Sequence, residues 1–170
     1  NYEYSSDGGT SWAALSPAVI ASPATITGLT NGTAYTIGLR AINAALSGTA
    51  SATLTSTPLT TSNAPTSLSA TPGDSHLIVA FTPPSSNGGS AITNYEYSSD
   101  GGTSWAAFSP AVTTSPVTIT SLTNGTAYTI GLRAINAASS GASSATLTST
   151  PFTTSNAPTS LTATPGDTQV

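Results

Sequence analysis

Leu122-Thr123-Asn124-Gly125-Thr126-Ala127-Tyr128 runs without a break into Thr129-Ile130-Gly131-Leu132-Arg133-Ala134-Ile135-Asn136. From Tyr128 onward the residues alternate. Tyr128, Ile130, Leu132 and Ala134 fall on one parity, and Thr129, Gly131 and Arg133 on the other. Successive side chains of a strand point to opposite faces, so this period predicts a strand with one apolar face turned toward a core. Asn124-Gly125 predicts a tight turn into it, because Gly supplies the positive φ that such turns need.

Working outward, the same logic places six more strands. Leu68 and Ala70 begin a first strand that ends at the turn Pro72-Gly73-Asp74. A second covers Ser75 to Phe81, with Leu77, Val79 and Phe81 facing inward and His76 outward. Pro83-Pro84 stops it, since proline cannot donate to a central ladder. Ser85 to Ser90 reads as a polar, flexible loop. A third strand covers Ala91 to Ser99, with Tyr95 and Tyr97 on one face and Glu96 on the other; Asp100-Gly101-Gly102 turns it into a return strand over Thr103 to Phe108. Val117, Ile119 and Leu122 mark a fifth strand, and after a small-residue loop Ala145 and Leu147 mark the last, ended by Pro151. Nowhere do apolar residues recur at helical spacing over three turns. Seven short strands with turn signals every 8 to 12 residues predict an all-β, seven-stranded antiparallel sandwich.

The pattern also repeats. Residues 1–77 and 94–170 align without a gap and differ at 13 positions. A step of 93 residues is the size of an independent small domain, longer than the unit of a solenoid or propeller. The expected division is a partial unit over residues 1–61, a complete unit over 62–155, and the opening of a third over 156–170. The first piece lacks the counterparts of its first two strands, which are expected from a preceding part of a longer polypeptide; the rival is donation by residues 156–170 of another chain.

Leu122 to Tyr128 resembles the tyrosine-corner segment of fibronectin type III domains. Phe81-Thr82-Pro83-Pro84, Ile92-Thr93-Asn94-Tyr95 and Arg133-Ala134-Ile135-Asn136 fall where that family has matching segments, and the resemblance spans the whole repeat. It implies an immunoglobulin-like sandwich in tandem, with Tyr128 buried and its hydroxyl bonded to backbone near Leu122 to Gly125. Phe81 departs from the Trp usual in the family, and Trp105 is a candidate to supply the missing aromatic bulk.

Composition limits the chemistry. The 170 residues include two Arg, no Lys, six acids, one His and no Cys, for a net charge of -4. One Arg per repeat cannot replace phosphate counterions, which argues against nucleic acid and a polybasic membrane contact. Without cysteine there is no disulfide, thiolate zinc site or thiol nucleophile. No metal or cofactor is expected, and no membrane insertion: the longest strongly apolar run, Leu77 to Phe81, is far short of a span. Ser98 to Trp105, and Ser5 to Trp12 before it, resemble the Asp-box of sialidases, where that segment is a structural hairpin. Hydrolysing a glycoside needs paired carboxylates across a substrate, and Asp74 in a turn, Glu96 mid-strand and Asp100 in a hairpin give no sign that any two converge. His76 becomes Gln169 in the next copy, which fits neither ligand nor base. Asn31-Gly32-Thr33 and Asn124-Gly125-Thr126 match a glycosylation acceptor, although the same letters make the turn. Trp12 and Trp105 remain as candidate ligand contacts, platforms for a sugar. Glu96 and Arg133, like Glu3 and Arg40, are expected to pair across neighbouring strands.

A repeat of this size serves functions that gain from copy number. The expectation is a non-catalytic structural array, secreted or at the cell surface, acting as stalk, fibre or adhesin shaft; the near-identical copies point to a bacterial source. Its partners are adjacent repeats, with self-assembly into a filament conceivable. The alternatives are a multivalent weak glycan- or surface-binding module and an accessory array of an extracellular glycoside hydrolase.

Overall fold

The computed structural model describes residues 1–164, 166 and 167. Its elements are β1 (Tyr2–Ser5), β2 (Ala13–Ala14), β3 (Tyr35–Ala41), β4 (Leu54–Ser56), β5 (Thr66–Gly73), β6 (His76–Thr82), β7 (Asn94–Ser98), β8 (Ala106–Ala107), β9 (Val117–Ile119), β10 (Tyr128–Ile135) and β11 (Leu147–Ser149). The last seven form two antiparallel sheets, β5-β6-β9 and β11-β10-β7-β8. Between them lies a core of Leu77, Val79 and Phe81 from β6, Tyr95 from β7, Val117, Ile119 and Leu122 from the β9 region, and Ile130, Leu132 and Ala134 from β10. These are the parities read from the sequence. Fully burying one such aliphatic side chain contributes about 1.5–3 kcal/mol, so the alternating face is what holds the two sheets together.

Two strands are shorter than expected, for local reasons. The Thr103 to Phe108 strand is reduced to Ala106–Ala107, because the Ser104 N–H and the Thr103 hydroxyl bond to Asp100. The Ala91 to Ser99 strand starts at Asn94, while Thr93 is tied by its N–H to the Ile135 carbonyl at 2.9 Å. In β5 the register shifts between Thr66 and Ser69, where Ser67 takes a φ of 56°.

Trp105 does not fill the core as a substitute for the family's Trp. The space beside Phe81 is taken by Tyr95, edge to face with ring centroids 4.7 Å apart. Trp105 lies on the outer face of the other sheet. A Cβ on Gly131 would come within 3.3 Å of its ring, so the glycine of β10 makes room for the indole.

The complete unit has two distinct poles. At one, the chain arrives through Asn63, whose N–H bonds the Ser86 carbonyl at 3.0 Å. At the other it departs through Phe152, whose N–H bonds the Gly73 carbonyl at 3.1 Å. Residues 1–61 carry a single sheet, β2-β1-β3-β4, with the same pairing as β8-β7-β10-β11. Ala24 to Ile26, counterparts of β9, form no strand, and neither do residues 156–164. His76 is half-buried rather than fully outward, its Nδ1–H donating to the Asp74 carbonyl at 2.8 Å; its counterpart Gln169 and the opening of a second strand beyond Asp167 lie outside the described residues.

Candidate functional site

The residues with chemical potential gather on the outer face of the β7-β8 hairpin, and the hairpin's own hydrogen bonds decide what they can do. Ser98, buried at the end of β7, donates its hydroxyl to Asp100 Oδ1 at 2.7 Å and accepts the Gly102 N–H at 2.7 Å. The Asp100 carboxylate then takes the Ser104 N–H at 2.9 Å and the Ser104 hydroxyl at 2.5 Å. Gly101 and Gly102, at φ of 76° and 95°, supply the left-handed backbone this loop requires. The bonds from Ser104 and Ser98 hold the Asp100 carboxyl well below the usual carboxylate range. Both carboxylate oxygens are thus engaged in fixing the loop. Asp7 is held by Ser11 and Ser5 in the same manner.

Trp105 is half-buried, and its indole N–H donates to the Gly102 carbonyl at 3.2 Å. The Arg133 guanidinium covers the ring, 4.4 Å from its centroid. Arg133 and Glu96 are direct cross-strand partners in β10 and β7, and Arg133 Nε donates to Glu96 Oε2 at 2.5 Å. The expected pair is therefore present, and the tryptophan extends it into a stack. Burial disfavours the charge on Glu96, but Arg133 and Ser140 outweigh it and hold the carboxyl below 4.5. The first copy repeats the stack, with Arg40 Nε 2.6 Å from Glu3 and its guanidinium 4.4 Å from the Trp12 ring centroid. Trp12 and Trp105 thus brace each hairpin against its sheet, with one ring face beneath an arginine.

At the departing pole Tyr128 is half-buried, and its hydroxyl accepts the Thr123 N–H at 3.0 Å, within the turn segment that the resemblance indicated. Asn124 Oδ1 accepts the Ser75 N–H at 2.8 Å and its Nδ2 donates to Asp74 at 2.6 Å. The nitrogen that glycosylation would modify already has a structural partner. Among the described residues, no three His, Cys, Asp or Glu side chains gather as metal ligands, and no helix is long and apolar enough to cross a membrane.

Asn136 was not singled out by sequence. It is 4% exposed, and its Nδ2 donates to the carbonyls of both Thr60 and Asn87, at 2.8 and 2.7 Å. The available signal was an amide side chain ending an apolar strand, a place where its two donors can link segments distant in sequence.

The geometry has parallels among known proteins. The model of the fibronectin type III domain matches residues 63–150. No curated protein matches the chain. A crystal structure of chicken CNTN1 FN1-FN3 domains is 17% identical, with a TM-score of 0.51 over 89% of this chain and 54% of that one. A crystal structure of a group of domains from titin is 16% identical, with a TM-score of 0.57 over the same shares. The chain spans about half the length of each, and at such identity the likeness is one of fold. Seven strands in two antiparallel sheets, a tyrosine bonded into the turn before β10 and a domain match over more than half its length carry one conclusion: the chain belongs to the fibronectin type III family.

Proposed function

We propose that this chain is a non-catalytic spacer in an extracellular or cell-surface stalk, fibre or adhesin shaft, extended by end-to-end repetition of one sandwich. The observation that carries this reading is the placement of entry and exit at opposite poles, Asn63 against Ser86 and Phe152 against Gly73. A second copy leaving from Phe152 must continue away from the first. The hairpin chemistry supports the same reading, since Asp100, Glu96, Arg133 and Trp105 are engaged with one another or with their own backbone. A strand of about seven residues at roughly 3.3 Å each, with its end loops, gives an advance of about 35 Å per copy.

Small-angle X-ray scattering tests it on this chain and on one lengthened by a further 93-residue copy. The maximum dimension should grow by about 35 Å per added copy. Growth of less than about half that value would mean folding back, and would end the spacer reading.

A further inference from the structure

The segment between the two copies is short and carries two prolines, Pro58 and Pro65, yet it does not run free through solvent. The Thr60 N–H donates to the Gly88 carbonyl at 2.9 Å, and the Asn63 N–H to Ser86 at 3.0 Å. Ala142 donates to the Ser62 carbonyl at 3.1 Å, and Asn136 to Thr60 and Asn87. Ser62 is buried. The linker is thus gripped by two loops of the following unit, 85–89 and 136–142. The grip leaves no space for side chains on the loops. A Cβ at Gly88 would come 2.0 Å from the Thr60 carbonyl oxygen, and one at Gly141 2.1 Å from Ser62 Oγ. The preceding unit touches the same loop: a Cβ at Gly89 would meet the Gly32 nitrogen at 2.3 Å, backbone against backbone.

The same turn occurs twice, with different surroundings. Gly32 and Gly125 have matching φ of 82° and 80°, and each N–H bonds the proline carbonyl that follows its last strand, Pro58 or Pro151, at 2.9 Å. Around Gly32 the next unit closes in, whereas around Gly125 there is open space within 4 Å.

We propose that loops 85–89 and 136–142 form a seat for the departing pole of another copy of this unit, namely its Asn-Gly turn and the Pro-x-Thr-Thr-Ser-Asn segment after it. The partner is a second copy, and the linker is a fixed element that sets how successive copies are oriented. The surface around Asn124-Gly125 and Pro151 to Asn156 is the matching half, ready to enter the same seat on a following copy. This rests on the spacer reading and adds to it a defined joint.

Amide hydrogen exchange on the intact chain provides the test, because Thr60-Thr61-Ser62-Asn63 and Thr153-Thr154-Ser155-Asn156 are identical in sequence, so their rates can be compared once the Thr60 and Thr153 values are corrected for the preceding Leu59 and Phe152. Thr60 and Asn63 should exchange at least about tenfold more slowly than Thr153 and Asn156. Asn136→Asp keeps the oxygen that accepts the Ala138 and Ser139 N–H groups but removes both donors to the joint. It should bring Thr60 close to the Thr153 rate while the Ser144 amide, bonded to Leu132, stays protected. Should Ser144 lose protection too, the variant has loosened globally and the unsubstituted comparison decides. Appending one further copy should slow Thr153 and Asn156 to the rates of Thr60 and Asn63. Equal rates for the two segments in the unsubstituted chain, or no slowing on extension, would overturn the joint. An array that still lengthens in scattering after that result would leave the spacer reading standing without it.

Discussion

Residues 1–61 and 94–154 have nearly the same sequence, yet the fold treats them differently. Both make the hairpin, the arginine-glutamate-tryptophan stack and the bond from a turn N–H to a tyrosine hydroxyl, at 3.0 Å in each copy. Only the second makes the strand over Val117–Ile119, because β9 pairs with β6, and residues 1–61 contain no counterpart of β6. Leu132 is fully buried and Leu39 half-buried; Leu147 is half-buried and Leu54 is 61% exposed. Features closed by bonds across a hairpin or between adjacent strands survive without the second sheet, whereas a buried core does not.

The largest expected effect tests that asymmetry. Leu132→Ala should destabilise the complete unit by about 2–5 kcal/mol, the cost of a cavity in a closed core. Leu39→Ala, at the shallow groove it shares with Tyr2 and Ala24, should leave the unit's midpoint unchanged. Chemical denaturation of the 170-residue chain, followed through NMR signals of residues 62–155, measures both. Equal effects would break the comparison. Tyr128→Phe comes next. Its hydroxyl bond is near the surface, so the loss should be about 1 kcal/mol, with Tyr95→Phe, outside the turn, as the matched control in the same denaturation series.

A smaller effect comes from a place where the copies differ. Gly28 has a φ of 75°, and Ser121, its counterpart, holds 62° with a side chain attached. Left-handed backbone costs a non-glycine residue about 1–2 kcal/mol, and glycine gives back part of that through the unfolded chain. Ser121→Gly should therefore stabilise the complete unit by about 0.5 kcal/mol, readable as a rise in denaturation midpoint. The smallest response should be shared by both copies. Asp7 and Asp100 have folded values lowered from 3.8, so their contribution is complete above that pH and falls away as acidification proceeds below it toward the folded values. Carboxyl carbon shifts should report both groups still ionised at pH 3. A copy-specific difference there would show that the hairpin network depends on the second sheet.

The parity of the core positions on β6, β9 and β10 was legible, because a strand's period of two is written in residue type. The Glu96–Arg133 pair was legible for the same reason, as two outward charges on strands that neighbour each other. Trp105 was not. Its position over Gly131 depends on which strand the hairpin lies against, information that no single segment holds. Ser85 to Ser90 read as flexible because composition reports what a loop could do alone; its carbonyls and glycines are fixed by Thr60, Asn63 and Asn136, distant in sequence.

The sequence by itself determined the strands, their inward faces, the turns and the 93-residue step, since each follows from the conformational preference and polarity of neighbouring residues. Tertiary structure decided where each indole lies against its sheet, whether Ala24 to Ile26 becomes a strand, and which loops bond the linker. Those depend on hydrogen bonds and close contacts between residues far apart in the chain, and such bonds form only when folding brings the partner within about 3 Å.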